Sequence, residues 1–276
     1  MAKPILRWAG SKRKLLGRLS VFWRPAYNRY VEPFAGSACL FFYLQPPKAV
    51  LGDINEALIE AYEVVREDPD GLHAVLSAMP VNRSYYYRLR KCDPAKMKLV
   101  DRAARFVYLN RLCFNGLYRT NRSGQFNVPY GGNRGSSVPT VEAFRQCAIL
   151  LKRACLRAAD FGHTLSDTQK GDFVYLDPPY QVSSRRIFKE YGSKHFNTCD
   201  LDRLVGHLDR MHLRGVKFVV SYADCPEGRM ALKDWHLVRV RTRRNIAGAS
   251  KYRRHAYELL ASNVGAVVAG KESPRD

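Results

Sequence analysis

Acidic residues are scarce in this sequence: 25 Asp and Glu face 46 Lys and Arg in 276 residues, a formal net charge of +21. Acid is missing from whole stretches. The first twenty-nine residues hold eight basic side chains and no carboxylate, and residues 102–134 hold six arginines and none. Residues 233–254 hold eight basic residues against Asp234 alone. No stretch approaches the ~20 apolar residues that cross a bilayer, so no membrane span is expected. The N-terminal octet, Met1 to Trp8, lacks the long apolar run of a signal peptide, and a cytosolic, DNA-associated location is expected. The seven cysteines form no Cys-x-x-Cys pair and no Cys/His cluster, and reduced thiols without a metal site are expected. Internal repeats and low-complexity linkers are absent as well.

What is present is a hydrophobic fraction of 46%, enough for a packed core. The basic excess, laid down in blocks, points to a polyanion: nucleic acid first, an anionic membrane second. The membrane reading needs an amphipathic basic helix, whereas Arg239-Val240-Arg241 alternates like a strand. Short strands are expected at Tyr30–Phe34, Lys48–Gly52, Asp172–Leu176 and Val216–Tyr222, with a closing pair at Leu237–Thr242 and His255–Leu260. Helices are expected over Ala38–Tyr43, from Asn55 to about Glu67, and over Leu72–Met79, Tyr85–Lys91, Lys98–Leu112, Val141–Arg153 and Leu201–Leu213. Residues 115–138, rich in Gly, Asn, Arg and Ser, read as a hairpin or loop. Strands alternating with helices on both sides of a helical stretch describe an α/β sheet domain with an insert.

Four motifs carry chemistry. In Phe173-Val174-Tyr175-Leu176-Asp177-Pro178-Pro179-Tyr180, an apolar strand ends in an acid, two prolines and an aromatic. Ligands of open α/β sheets sit at such strand ends. The edge is rigid and rich in acceptors, because the prolines fix φ and remove competing N–H donors. It suits an exocyclic amine such as that of adenine, whose lone pair is delocalised into the ring. Acceptors on both N–H groups, Asp177 and the Pro178 carbonyl, draw the nitrogen toward a tetrahedral, nucleophilic geometry. Tyr180 offers a face on which a base can stack. In the second motif, Val31 to Ala38, a strand runs into a small-residue turn at Phe34-Ala35-Gly36, where backbone can approach a ligand closely. Asp53, at the next strand end, is placed to accept from ribose hydroxyls. In the third, Leu6-Arg7-Trp8-Ala9-Gly10-Ser11-Lys12, the lysine is suited to a ligand carboxylate and Trp8 to packing against the ligand. In the fourth, Asn110 to Gly131, arginines, asparagines and aromatics interleave around glycines. Arg119 and Gln125 are suited to base edges, and Arg122 and the asparagines to phosphates.

In this order the four motifs resemble the DNA adenine methylase family, the Dam-type N6-adenine enzymes, over roughly residues 4–262. The resemblance implies a Rossmann-like S-adenosylmethionine-dependent methyltransferase sheet, with a helical target-recognition insert bearing a β-hairpin. It assigns residues 1–57 and 155–262 to the catalytic domain and 58–154 to the recognition domain, leaving 263–276 as a disordered tail. It implies cofactor contacts from Trp8, Lys12, Phe34, Asp53, Asp160, Phe161 and Asp177, and a catalytic tetrapeptide Asp177, Pro178, Pro179, Tyr180. Phe196 falls where an aromatic supports a flipped base. Arg7, Asn115, Leu117, Arg119, Asn121, Asn127 and Pro129 match positions that read DNA. The implied substrate is adenine in duplex DNA, in the palindrome GATC. An RNA amino-methyltransferase and a non-catalytic DNA-binding protein are the rivals. The hairpin argues against the first, the intact Asp177–Tyr180 motif against the second. The family's second turn glycine is Ala38 here, which fits if its φ is negative.

Overall fold

The computed structural model describes residues 3–121, 123–132, 137–180, 196–243 and 255–265. Arg122 and most of the expected tail lie outside them. Seven strands form one sheet among the described residues: β1 (Tyr30–Glu32), β2 (Ala49–Asp53), β3 (Ala154–Ala158), β4 (Phe173–Leu176), β5 (Lys217–Ala223), β6 (His236–Arg243) and β7 (His255–Ser262). Their order is β3-β2-β1-β4-β5-β7-β6. The first five are parallel, and β7 runs antiparallel between β5 and β6. This is the expected Rossmann-like α/β sheet.

The central strands read as continuous apolar runs because both sheet faces are covered. Tyr30, Leu51, Phe173, Tyr175 and Val219 enter one buried cluster, while Val31, Val50, Val174, Leu176 and Val220 enter the other. Side chains alternate across a strand, so neighbours in sequence serve opposite cores. Helices α8 (Phe161–Ser166), α9 (Thr198–Leu213) and α10 (Pro226–Ala231) supply the second core. Helices α1 (Leu16–Ser20), α2 (Cys39–Leu44) and α3 (Glu56–Glu67) pack into the first.

The insert consists of α4 (Pro69–Ser77), α5 (Arg83–Lys91), α6 (Leu99–Leu112) and α7 (Val141–Leu151), packed with α3. The starts of α3, α4, α5 and α7 follow from capping side chains. Asn55 accepts from the Leu58 N–H, Asp68 from Gly71 ahead of Pro69, Asn82 from Tyr85, and Thr140 from Ala143. Helix α6 is buried nearly all round, from Ala103 to Leu112 save Arg111, and forms the axis of the insert. The insert shares one continuous apolar cluster with the sheet: Leu72, Tyr86, Val107 and Phe144 belong with Tyr30, Leu51 and Phe173. The expected boundaries at 57/58 and 154/155 fall within α3 and β3.

Three expectations need correction. Strand β3 and helix α8 were not anticipated by pattern. β3 is an edge strand with Cys155 exposed, so it lacks a buried apolar run, and the preceding helix ends at Leu151, not Arg153. Among the described residues of the 112–131 segment, pairing consists of two isolated antiparallel bridges, Cys113 with Tyr130 and Thr120 with Phe126. Asn115 at φ 55° and Gly116 at φ 65° bend one side, and Pro129 has no N–H to give, so a regular hairpin ladder does not form. Ala38 sits at φ 47°, in the left-handed region, so the negative φ that would suit alanine is not adopted. That conformation costs an L-residue roughly 1–2 kcal/mol.

No helix among the described residues is long and apolar enough to cross a membrane.

Candidate active site

The strand order reverses between β1 and β4, one leading outward to β2 and β3, the other to β5. The crevice at the carboxyl ends of two such strands is the binding position of open α/β sheets. Val31 stands opposite Val174 in register, so the turn after Glu32 and the Asp177-Pro-Pro-Tyr edge leave the sheet side by side.

Asp177 is the centre of a buried polar network. Lys12 Nζ lies 2.8 Å from its Oδ1 and donates to its Oδ2 at 2.9 Å. Ser221 Oγ donates to Oδ1 at 3.0 Å, from the strand paired with β4. Lys12 also donates to the Gly10 carbonyl at 2.9 Å and approaches Glu258 Oε2 at 3.9 Å. The Lys12 and Glu258 side chains are 4% and 9% exposed, and Asp177 is 20% exposed, open toward the crevice. Burial alone would discharge Lys12, but Asp177, Tyr180 and Glu258 outweigh it and hold the ammonium charged, its pKa raised. Tyr180 packs on Tyr222 at 5.2 Å between centroids, with Lys12 Nζ 4.9 Å from its ring centre. Pro178 is buried and Pro179 exposed. Beneath them, Glu32 is fully buried and accepts from Tyr30 Oη at 2.8 Å. Burial, aided by the nearby Asp177 charge, raises its pKa well above the usual carboxylate range.

The turn after β1 adjoins this network. Gly36, at φ 46°, donates its N–H to Asp53 Oδ2 at 3.0 Å, and its carbonyl accepts from Tyr62 Oη at 2.8 Å. Asp53 Oδ1 accepts from the Asn55 N–H at 2.9 Å. Each Asp53 oxygen keeps a lone-pair site for a further donor. Burial pushes the Asp53 carboxyl up to about 6, against the pull of the Gly36, Asn55 and Ile54 amides. A Cβ on Gly36 would stand 2.7 Å from the Trp8 ring, so the glycine is required by close approach as well as by φ. Phe34 stacks on Phe161 at 5.3 Å, and Phe196 meets both at 6.2 and 6.0 Å, forming an aromatic wall. Asp160 caps α8 through Gly162 N–H and pairs with Arg203 at 2.6 Å.

The N-terminal motif joins this crevice to the recognition segment. Trp8 stacks on Tyr118 at 5.5 Å with 16° between the planes. Buried Asn110 clamps the Arg7 backbone in both directions, accepting its N–H at 2.8 Å and donating to its carbonyl at 2.7 Å. The Arg7 side chain crosses Gly116, where a Cβ would come within 2.5 Å of it.

In the recognition segment, Arg119 Nε donates to Asn127 Oδ1 at 2.7 Å. Asn121 Oδ1 accepts the N–H groups of Ser123 and Gln125 at 3.0 and 2.9 Å, closing the tip. Asn121 and Gln125 are thus turn-building as well as exposed. Asn115 and Pro129 are exposed and Leu117 half-buried. The segment rests on α5. Tyr86 Oη donates to the Val128 carbonyl at 3.0 Å, and Arg90 Nη1 to the Asn127 and Val128 carbonyls at 3.2 and 3.1 Å. Arg83, Arg88 and Lys91 stay exposed on the same helix. Sequence reading missed Glu32, Tyr175, Ser221 and Glu258. Glu32 and Ser221 each follow two apolar-faced strand residues and are buried, a pattern that could have marked them, whereas Glu258 stands among other polar residues of β7 and carries no such signal.

A model of the D12 class N6 adenine-specific DNA methyltransferases matches residues 8–246. The chain is 33% identical over 272 residues to the Type II methyltransferase M1.LlaDCHI of Lactococcus lactis subsp. cremoris, covering 95% of this chain and 96% of that one. It is 32% identical over 262 residues to the Retron Ec67 DNA adenine methylase of Escherichia coli, covering 93% and 90%. Against the DNA adenine methylase of Serratia marcescens it is 31% identical over 268 residues, covering 94% and 97%.

Proposed function

Because the chain belongs to the D12 class N6 adenine-specific DNA methyltransferases, we propose that it moves a methyl group from S-adenosylmethionine to N6 of an adenine flipped out of duplex DNA, with GATC as the preferred target. The observation that carries the catalytic part is the environment of Asp177. A carboxylate oxygen offers about two lone-pair directions. Ser221 donates to Oδ1, with the Lys12 ammonium 2.8 Å from it, and Lys12 donates to Oδ2, leaving a further Oδ2 site for a substrate donor. That site and the Pro178 carbonyl accept the two amine hydrogens. Tyr180 takes the base face, and Asp177 holds the amine while its lone pair turns toward the donor.

The residues present fit the cofactor. Asp53 keeps acceptor sites for two ribose hydroxyls, Gly36 lets the chain pass close, and the Phe34–Phe161 wall beside Asp160 suits an adenine ring. When bound, S-adenosylmethionine supplies an electrophilic methyl on a sulfonium. Trp8 walls this crevice beside Gly36, and Lys12 acts through Asp177 as well as toward the cofactor carboxylate.

For the target, Arg119 presents a planar fork to guanine O6 and N7, steadied by Asn127. Leu117 and Pro129 are apolar neighbours for a thymine methyl, and Arg7 approaches from the opposite side of the segment. The net charge of +21 supplies sequence-independent affinity through counterion release, so near-cognate sites are methylated at low salt. The test is transfer of labelled methyl to a GATC duplex, to the same duplex with the adenine replaced, and to duplex RNA. Label in N6-methyladenine of the first alone is expected. Label in RNA, or equal label in all adenine contexts, overturns the reading.

A further inference from the structure

Ser221 lies in the middle of β5 and is completely buried. Its Oγ touches two polar atoms, Asp177 Oδ1 at 3.0 Å and Tyr175 Oη at 3.1 Å. Tyr175 is 1% exposed, two residues before Asp177 on β4. The proton directions follow from counting. A carboxylate only accepts, so the single Ser221 proton points at Asp177. Tyr175 must then donate to Ser221. Two hydroxyls in series thus end on the carboxylate, each polarising the next. The sheet fixes both strands: Leu176 pairs with Val220 in register, which sets Asp177 beside Ser221.

Resting on the reading of Asp177 as the amine acceptor, we propose that Ser221 is a positioning residue for methyl transfer, aligning the Asp177 carboxylate through a hydroxyl that Tyr175 orients. The other charged and titratable groups near Asp177 are Lys12, Tyr180 and Glu258, with Glu32, Tyr175 and Cys39 beneath. Lys12 bridges both oxygens and permits the carboxylate to rock about the ammonium. Ser221 binds only Oδ1 and removes that freedom, directing the open site of Oδ2 at the crevice. A misplacement of about 1 Å at a reacting group costs on the order of a hundredfold in rate.

The test is kinetic. Ser221→Ala is expected to lower kcat by about ten- to a hundredfold, with KM for S-adenosylmethionine and for DNA within about twofold of wild type. Ser221→Thr, which keeps the hydroxyl, is expected to recover most of the loss. Tyr175→Phe lowers kcat less, and Ser221→Ala/Tyr175→Phe is no slower than Ser221→Ala, because Tyr175 acts through Ser221. The double variant removes both buried hydroxyls together, so it remains measurable if the serine variant alone folds poorly. Cofactor affinity by calorimetry is expected to be unchanged in all of them. Wild-type kcat in Ser221→Ala or in the double variant, or a tyrosine effect that persists in the alanine background, overturns the proposal. Asp177→Asn is the control: if it stays active, the reading of the site fails, whereas an inactive Asp177→Asn beside a fully active Ser221→Ala removes the serine's role alone.

Discussion

Lys12 and Asp177 are 165 residues apart in sequence and meet at 2.9 Å, in a contact that closes the crevice from below. The ammonium donates to Oδ2 and stands 2.8 Å from Oδ1, so it holds the carboxylate in place at the strand end.

Replacing Asp177 by Asn keeps the shape and removes the charged acceptor. Single-turnover methylation is expected to fall by at least a hundredfold, about 3 kcal/mol of barrier. Duplex affinity in a gel-shift assay should hardly change. Near-normal turnover at saturating cofactor would remove Asp177 from its assigned role.

Lys12→Met leaves Asp177 and Glu258 near each other without their shared cation. Breaking one side of a buried ion pair costs about 3–5 kcal/mol, and a urea midpoint well below that of wild type is expected. Adding Glu258→Gln relieves one of the stranded carboxylates, so Lys12→Met/Glu258→Gln should regain part of the loss. A double variant less stable than the single one would show that Glu258 does not feel Lys12.

If Asp53 holds the cofactor ribose as proposed, it sets a pH dependence for cofactor binding. Its carboxyl is pushed up to about 6, so it is charged above that pH and protonated below. Ribose hydroxyls bind the charged acceptor better, so cofactor affinity is expected to be level above pH 7 and to fall as pH drops through about 6. Asp53→Asn should weaken binding by ~1–3 kcal/mol and lose the slope. Calorimetry between pH 5 and 8 decides it; a wild-type slope retained in the variant places the titrating group elsewhere.

Under the proposed function, Arg119 and the Asn127 it is bonded to act together in reading the target. Arg119→Ala is expected to relax discrimination at one base pair by ~1–3 kcal/mol, with a smaller loss of overall duplex affinity. Asn127→Ala removes the 2.7 Å hydrogen bond to Arg119 Nε and should relax the same base pair by less. Genome-wide maps of N6-methyladenine from cells expressing each protein provide the measurement. A bias that survives Arg119→Ala unaltered assigns the reading to another side chain.

The sequence exposed this site unevenly. Strand ends marked by Asp53 and Asp177, the Gly36 turn and the Asn55 cap were legible because each depends on near neighbours in the chain. The Asp177 partners were not legible, since Lys12, Ser221 and Glu258 converge only when the N-terminal turn, β5 and β7 are assembled around β4. Edge strand β3 escaped because Cys155 and Arg157 break the apolar pattern that buried strands carry. Ala38 misled for a different reason: its φ is set by the geometry joining β1 to α2, which overrides the preference of the residue itself.

The core described above has a consequence for how specificity can change. Tyr86 and Phe144 of the insert share one apolar cluster with Tyr30 and Phe173 of the sheet. Exchanging the whole insert between relatives would cut through packed side chains on every side and damage the catalytic half with it. The segment between Leu112 and Gly131 is held to α5 and α6 by backbone carbonyls, those of Asn127 and Val128, and by packed side chains, Tyr118 on Phe106 and Tyr130 on Tyr86, while Asn115 and Pro129 stay exposed. Carbonyls are the same whatever residue bears them. Under the proposed reading of this segment, new target sequences are reached by substitution at its exposed positions, while the packed residues Val128, Tyr118 and Tyr130 stay unchanged.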